Sequence, residues 1–298
     1  MAVKELAEKE FLEQPAHINE GKRILRVMVG RRIVVFGLVI ISISIIAAIF
    51  APLIAPYDPN QPDLEVAVQG PSRQHFLGTD TLGRDTLSRI IFGTRASLIV
   101  GIGSVGVAAV VGIILGLIAG YYGGVIYMII MRFMDSLMAF PMMLLALVVA
   151  ALLGGGLLNI VIAIGVGMTA GYARLMCGQV LSVRVNDYIV AERSIGASNT
   201  RIMFSHIFPN CFPPLIVMMT MMLGGAILAE AGLSFLGIGI KPPDPAWGAM
   251  VNNGYKYILS DFMLSFAPGI AIMLLVFAFN MVGDGLRDAL DPKLRGTL

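Results

Sequence analysis

Charged residues are scarce in this sequence. Only 13% of its 298 residues are Asp, Glu, Lys or Arg, whereas 57% are hydrophobic. A soluble domain carries about 25% charged residues, so this chain has too few of them to cover a surface that faces water. The scarcity disfavours a soluble globular protein and predicts helices that face lipid. The net charge of +2 gives no indication of a nucleic-acid partner.

Residues that build disulfides and metal sites are also few. The two cysteines, Cys177 and Cys211, lie 34 positions apart and form no C-x-x-C spacing, so we interpret both as apolar core residues. The three histidines, His17, His75 and His206, are scattered along the chain, which disfavours a histidine metal cluster. We therefore predict neither a metal nor a cofactor on this chain.

Catalytic and nucleotide-binding motifs are missing as well. The sequence contains no G-x4-G-K-S/T phosphate loop, no H-E-x-x-H and no G-x-S-x-G elbow. Gly101-x-Gly103-x-x-Gly106 matches the dinucleotide-binding pattern, but it lies in an apolar helix with no preceding strand and no acidic residue about 20 positions later. We reject that match and predict no catalytic residue, which disfavours a membrane-embedded enzyme.

Long uncharged runs dominate the sequence instead. A membrane-spanning helix needs about 20 apolar residues, and turn sequences at 121–124 and 154–156 divide the longest runs. We predict an all-α polytopic membrane protein with six transmembrane helices. They lie near 33–55, 97–120, 125–152, 157–180, 211–235 and 263–285.

Basic residues mark one side of the predicted bundle. They cluster in residues 22–32, 174–209 and 284–298, and Lys and Arg accumulate in cytoplasmic loops. With six spans, this places both termini in the cytoplasm. The predicted segments are a cytoplasmic 1–32, an extracytoplasmic loop 56–96, a second outer loop 236–262 and a cytoplasmic tail 287–298.

Three further expectations concern the segments outside the spans. Residues 1–32 contain several acids and do not resemble a signal peptide, and 1–20 are expected to be mobile and solvated. Residues 22–32 are expected to lie along the inner surface as a basic amphipathic helix. The proline-rich stretch 56–75 is expected to be extended.

Charged residues inside the predicted spans are few, and three of them, Arg132, Asp135 and Glu230, are candidates for a function. Ionisable groups in a membrane are costly and usually serve a function. Arg132 and Asp135 are three positions apart and can pair on one helix face, or they take part in transport. Glu230, near the outer end of the fifth span, either lines a pathway or bonds to a neighbouring helix.

Small residues form a strip on the second span. Gly112, Gly116 and Gly120 are four positions apart, so they lie on one helix face and allow another helix to approach closely. The strip packs either within this chain or against a partner subunit.

The segment between spans four and five is the most informative. Two short helical patterns meet at Gly196-Ala197-Ser198. Ser198 is a suitable N-cap for a second helix from Asn199 to His206, and Pro209 is expected to end that helix. A rigid cytoplasmic helix between two spans suits a membrane subunit that is moved by an external motor.

This segment resembles the loop of permease subunits of binding-protein-dependent ABC importers. The general pattern is E-A-A-x3-G-x9-I-x-L-P. Gly196 and Pro209 take the glycine and proline at the correct interval, whereas Val190, Glu192, His206 and Phe208 depart from the pattern.

The peptide and nickel subfamily reads G-A-S-x-x-R-I-x-x-x-H-I-L-P-N, which residues 196–210 follow closely. Other stretches resemble the same subfamily, and in particular its shorter C-type permeases. They are 75–89 with G-T-D-x-x-G-R-D, 233–248 with L-S-F-L-G and P-P-x-P-x-W-G, and Asp135-x4-Phe140-Pro141.

The resemblance implies a type I ABC importer permease fold over 97–286, with a cytoplasmic coupling loop at 181–210. It implies four kinds of partner in a prokaryotic cell membrane: lipid, a second homologous permease, two ATPases that hold ATP and Mg, and an extracytoplasmic substrate-binding protein. The implied cargo is a di- or oligopeptide. Nickel chelates, glutathione or sugars are alternatives within the same architecture, and a self-contained ion-coupled carrier is an alternative of another class.

The resemblance also assigns roles to residues. Those that would couple to an ATPase, through a helix at about 193–206, are Ala191, Glu192, Arg193, Gly196, Ala197, Ser198, Asn199, Arg201, His206 and Pro209. Among them, Glu192, Arg193 and Arg201 are candidates for polar contacts. Trp247 and Asp244, in the outer loop, either dock the binding protein or belong to a simple cap on the spans.

Overall fold

The computed structural model describes residues 20–290 and is almost entirely helical there. Within these residues the β pairing is limited to an isolated bridge between Thr79 and Asp85. The expectation for 1–20 and the end of the predicted tail, 291–298, lie outside the described residues. The helices are α1 (Glu20–Gly30), α2 (Arg32–Ile49), α3 (Ala51–Ile54), α4 (Thr86–Tyr122), α5 (Gly124–Met138), α6 (Met142–Leu153), α7 (Leu157–Val183), α8 (Asp187–Ser194), α9 (Asn199–Phe235), α10 (Trp247–Tyr255) and α11 (Met263–Leu290).

Five helices, α2, α4, α7, α9 and α11, are each long and apolar enough to cross a membrane. The helices α5 and α6 are bent by 91° and supply the sixth crossing if they are counted as one span. The predicted continuous helix 125–152 is therefore wrong, because the chain breaks at Pro141. Proline has no backbone N–H, and its ring disfavours a helical conformation in the preceding residue, Phe140.

The helix α4 begins at Thr86 rather than near residue 97, so the end of the predicted outer loop is helical. Asp85 caps this helix by accepting a hydrogen bond from the Ser88 backbone N–H at 2.7 Å. Arg89 and Arg95 in the first turns interrupt the apolar run. An apolar-run criterion therefore places the start of the helix too late.

The glycine strip of α4 lies against α7. A Cβ atom on Gly112 would lie 2.6 Å from the Thr169 carbonyl oxygen, and one on Gly116 would lie 2.3 Å from that of Ala173. A Cβ on Gly120 would lie 2.7 Å from the Val180 Cβ. These distances leave no room for a side chain, so the strip packs two helices of this chain against each other.

Pro209 does not end the second short helix, which corrects the prediction from the sequence. The helix α9 runs without a break from Asn199 to Phe235 and contains a π-helical stretch at Ile202–Ile207. The wider π turn shifts the hydrogen-bond register immediately before Pro209, where the proline cannot donate a backbone hydrogen bond. The short helix and the span are therefore one rigid element.

The helix α1 is attached to the C-terminal end of α11. Arg23 donates a hydrogen bond to the Ala289 carbonyl at 3.1 Å, and Arg31 forms an ion pair with Asp288. Leu25 and Val29 are exposed on the same helix. Residues 22–30 are thus helical with apolar and basic sides, and their placement on the inner membrane surface stays a prediction.

The connection between α3 and α4 is held by charges. Asp80 accepts a hydrogen bond from the Arg84 Nε at 2.8 Å and lies 3.5 Å from the Arg89 Nε. Arg89 in turn donates to the Pro59 carbonyl at 2.6 Å. This proline-rich stretch is therefore fastened to α4 at the end of the bundle opposite to α8, which we call the outer end. The end that carries α8 is called the basic end.

We predict that Gly116→Ala destabilises the protein and that Gly106→Ala does not. The two glycines lie on one helix, but a Cβ on Gly106 meets no atom within 4 Å, whereas one on Gly116 would overlap the Ala173 carbonyl. Overpacking of this kind costs about 1–3 kcal/mol. Thermal unfolding of the purified variants should show a lower midpoint for Gly116→Ala alone, and equal midpoints would contradict the packing described above.

Candidate functional site

The segment between α7 and α9 forms a compact helical hairpin at the basic end. Its tight turn is at Gly196, whose φ of +82° is in the left-handed region. The Gly196 N–H donates to the Arg193 carbonyl at 3.1 Å, and the Ala197 N–H donates to that of Glu192 at 3.0 Å. This pair of bonds is the Schellman ending of a helix, for which glycine is strongly preferred.

The second helix of the hairpin begins as the sequence predicts. The Ser198 Oγ accepts a hydrogen bond from the Arg201 backbone N–H at 3.4 Å, which makes Ser198 the N-cap of α9. The prediction of this cap is confirmed.

Apolar side chains anchor the hairpin to the bundle. Ile189 of α8, together with Ile202 and Ile207 of α9, is completely buried, and these residues share a cluster with Leu117 of α4 and Val180 of α7. Burying a side chain of this size stabilises by roughly 1.5–3 kcal/mol. The hairpin is therefore fixed to the ends of three helices.

Tyr121, at the end of α4, adds polar contacts to both halves of the hairpin. Its hydroxyl donates to the Asn199 Oδ1 at 2.7 Å, and the Arg193 guanidinium carbon lies 5.3 Å from its ring centroid. Nearby, Arg184 donates to the Gly120 carbonyl at 2.8 Å. Asn199 and Arg193 therefore hold the hairpin in place.

Glu192 and His206 face each other across the hairpin. The Glu192 Oε1 and the His206 Nε2 are 3.5 Å apart, and both side chains are largely buried. The contact joins α8 to α9. Glu192 and His206 are thus engaged within the chain, whereas Arg201 and Ala191 are exposed.

An apolar surface lies on the outside of the hairpin, which the sequence reasoning missed. Ile195, beside the left-handed Gly196, is 77% exposed, and Val185, Val190 and Phe204 are also exposed. The sequence alone does not separate these four residues from the buried apolar residues of the same segment, such as Ile189 and Ile202. We call Val185, Val190, Ile195 and Phe204 the apolar tip.

The remaining residues assigned to coupling differ in their burial. Ala197 is half-buried against the anchoring cluster, and Pro209 is exposed within α9. The structure thus gathers all the assigned residues into one hairpin and its continuation.

The predicted pair of Arg132 with Asp135 does not form. Asp135 pairs with Arg174 of α7 at 2.5 Å, and the Arg132 side chain is exposed on α5. The packing of α7 against α5 determines the partner of Asp135, because it brings the Arg174 guanidinium directly to the Asp135 carboxylate.

Glu230 is completely enclosed between helices. It is 1% exposed and accepts hydrogen bonds from the Ser234 Oγ at 2.7 Å and from the Ser97 Oγ of α4 at 3.4 Å. Of the two interpretations offered by the sequence, the structure shows the bond to a neighbouring helix.

Trp247 is only 2% exposed at the outer end. Its Nε1 donates to the Ile90 carbonyl at 3.0 Å, and a Cβ on Gly93 would lie 2.8 Å from its ring. The interpretation of Trp247 as a docking residue is wrong, because the indole packs inward where its N–H has a partner. Asp244 is exposed and stays a candidate for docking.

Two family models match the chain. Residues 112–296, more than half of the sequence, match the model described as binding-protein-dependent transport system inner membrane component. Residues 21–71 match the N-terminal TM domain of oligopeptide transport permease C.

Three relatives are similar over nearly their full length. The dipeptide transport system permease of Alkalihalophilus pseudofirmus is 42% identical over 95% of this chain and 93% of its own. The di/tripeptide transport system permease of Pseudomonas aeruginosa is 44% identical over 96% and 92%. The glutathione transport system permease of Pectobacterium atrosepticum is 44% identical over 92% and 90%.

A solved structure supports the fold. An inward-facing MetNI methionine ABC transporter superposes with a TM-score of 0.53 at 18% identity, over 68% of this chain and 96% of that chain. Together with the family models and the near-complete similarity to the curated relatives, this shows that the chain belongs to the multi-pass inner-membrane permease subunits of binding-protein-dependent ABC importers and is a transport subunit rather than an enzyme.

Proposed function

We propose that this chain forms half of the translocation pathway of an ATP-driven importer of di- or oligopeptides. Relatives named for dipeptides and for di- and tripeptides are 42% and 44% identical over most of the chain. A relative named for glutathione is equally similar, so glutathione is the second candidate. Glutathione is itself a tripeptide, and both candidates are short zwitterions.

The partners follow from this assignment. A second permease completes the pathway, an extracytoplasmic binding protein delivers the peptide to the outer end, and two ATPases bind ATP and Mg at the basic end in the cytoplasm. The scarcity of charge inside the spans supports a route that passes many different side chains, with selection residing mainly in the binding protein.

The observation that carries the coupling role is the rigid attachment of the hairpin. Its buried isoleucines and the Tyr121 contacts connect it to α4, α7 and α9 at once. A displacement imposed on the hairpin by closing ATPases is therefore transmitted to three spans rather than absorbed by a flexible loop. Movement of these spans would alternate access between the outer and basic ends.

We expect transport to require the whole assembly. Vesicles that contain both permeases and both ATPases should take up a radiolabelled dipeptide only with ATP inside and the loaded binding protein outside. Vesicles that contain this chain alone should take up none. Uptake by the isolated chain in a proton or sodium gradient would contradict the proposal and favour an ion-coupled carrier, and competition by glutathione or a nickel chelate would rank the cargoes.

Replacing the turn glycine should uncouple the transporter. In Gly196→Val, a β-branched residue would have to adopt a φ of +82°, which is strongly disfavoured, so the turn rearranges and moves the apolar tip. We expect stimulation of ATP hydrolysis by the loaded binding protein to fall at least several-fold.

The matched control is Gly154→Val. Gly154 also ends a helix with a positive φ, +85°, and a Cβ there also meets nothing within 4 Å, but it lies at the outer end. Gly154→Val should strain the backbone to a similar extent, but it should leave stimulation of ATP hydrolysis by the loaded binding protein largely intact. Normal stimulation in Gly196→Val, or equal loss in both variants, would remove the hairpin from the coupling role.

The apolar tip should supply binding energy for an ATPase. Ile195→Ser removes a large exposed side chain, and burying one contributes roughly 1.5–3 kcal/mol, equivalent to about a tenfold or greater weakening of ATPase association. Leu259→Ser is the control, since Leu259 is fully exposed at the outer end. Each tagged variant is titrated with detergent-solubilised ATPase, and the amount of ATPase that copurifies measures the difference in affinity. Equal affinities would contradict this role for the tip.

A further inference from the structure

The ion pair of Asp135 with Arg174 lies deep along its helices. Asp135 is about 16 Å from the start of α5 at Gly124, and Arg174 is about 14 Å from the end of α7 at Val183, since a helix rises 1.5 Å per residue. The hydrocarbon layer is about 30 Å thick. Measured from these helix ends, the two charges lie about half the thickness of such a layer along the bundle.

The pair is nevertheless open on one side. The side chains of Asp135 and Arg174 are 46% and 52% exposed. Charged groups at membrane depth do not face lipid tails, and they face a protein interior or a cavity filled with water. The exposed side of this pair therefore points away from lipid.

The backbone next to the pair is also irregular. Residues 139–141, immediately after the helix that carries Asp135, are non-helical and exposed at the 91° bend between α5 and α6. The backbone N–H groups of this stretch are paired within the chain, that of Ala139 with the Asp135 carbonyl at 3.0 Å and that of Phe140 with the Leu137 carbonyl at 3.4 Å. The bend is therefore compatible with membrane depth. Broken helices of this kind form the substrate sites of many transporters.

Water accounts for these exposed groups better than a dry contact with another subunit. Removing an ion pair from water costs several kcal/mol per ion, and the attraction between the ions repays this only with further hydrogen bonds. In the part of the chain that the structure describes, the one salt-bridge partner of Asp135 is Arg174. The surroundings are also open, since Gly178, one turn beyond Arg174, has no atom within 4 Å of where a Cβ would lie.

We propose that the Asp135–Arg174 pair lines the translocation pathway and binds the two charged termini of a passing peptide. The peptide ammonium group binds the Asp135 carboxylate, and the peptide carboxylate binds the Arg174 guanidinium. The ligand is a short zwitterion, so the exchange keeps all charges paired while the open space beside Gly178 accepts varied side chains. This inference rests on the proposed function and deepens it.

Access of water to the pair can be tested directly in the assembled transporter. Arg174→Cys should react with a charged, membrane-impermeant thiosulfonate. The native Cys177 and Cys211 are buried, so they contribute little background. Val110→Cys is the control: Val110 is exposed on α4 in an apolar stretch, and it should not react. An unreactive Arg174→Cys would show a dry face and overturn the proposal.

Recognition of the termini is tested by charge-neutral variants. Each complex is supplied with saturating binding protein loaded with a dipeptide, and uptake is expressed relative to wild type. Arg174→Gln should lower uptake of the free dipeptide by about tenfold but not that of its C-terminal amide. Asp135→Asn should likewise lower uptake of the dipeptide with a free ammonium group but not uptake of its N-acetyl form. Arg26→Gln, on α1, is the control for the effect of losing one positive charge elsewhere in the chain.

Protection of a cysteine by peptide provides the same comparison when the binding protein does not deliver a blocked peptide. The reporter is Gly178→Cys, because it keeps both charges of the pair and a Cβ there meets no atom within 4 Å. Protection by the free dipeptide but not by its blocked forms supports the inference. If the charge-neutral variants affect all peptides equally and lose the second permease on purification, this face is a subunit contact and the inference is overturned. A wild-type complex that transports no peptide overturns the proposed function instead, because reactivity of Arg174→Cys still reports a water-filled face.

Discussion

The close approach of α4 to α7 sets the positions of the other elements. Three glycines of α4 lie against backbone and Cβ atoms of α7, and the gain is dispersion energy that does not depend on water. In a membrane this matters, since lipid tails solvate leucine as well as a neighbouring helix does. The two helices form a rigid pair that ends at Tyr121 and Val180, which hold the hairpin between α7 and α9.

Several polar side chains inside this apolar chain are tied to a named partner. Glu230 is held by two serines, Trp247 donates to a carbonyl of α4, and Arg89 donates to carbonyls of the outer connections. These bonds join α4 to α9 and to the outer cap. Unsatisfied polar groups cost several kcal/mol in lipid. Such bonds therefore determine which helices are neighbours where apolar packing alone would allow several arrangements.

The number and approximate position of the spans could be predicted from the sequence, because membrane thickness sets a minimum length for an apolar run. The hairpin turn was also predictable, since Gly196 and Ser198 act through local backbone chemistry. Two prolines with opposite effects were not. Pro141 breaks a span, whereas Pro209 is accommodated by a π turn. The effect of each proline on its helix depends on how the preceding turn can adjust and on which residues pack around it.

Side-chain partners were the least predictable feature. Spacing alone suggested Arg132 for Asp135, but the partner is on another helix. Trp247 and Glu230 look functional in a sequence because they are rare in apolar surroundings, yet both are enclosed. Their roles depend on contacts between segments more than a hundred residues apart, which no local pattern encodes.

The exposed Ile195 has a consequence for the life of the subunit before assembly. A rigid hairpin that presents apolar side chains to water is prone to non-specific association, and in the proposed assembly an ATPase would cover it. A copy synthesised without its partners would keep this apolar surface exposed. Chaperones and membrane proteases that detect exposed apolar surface would then remove such orphan copies, so the hairpin proposed to transmit force would also support stoichiometric assembly.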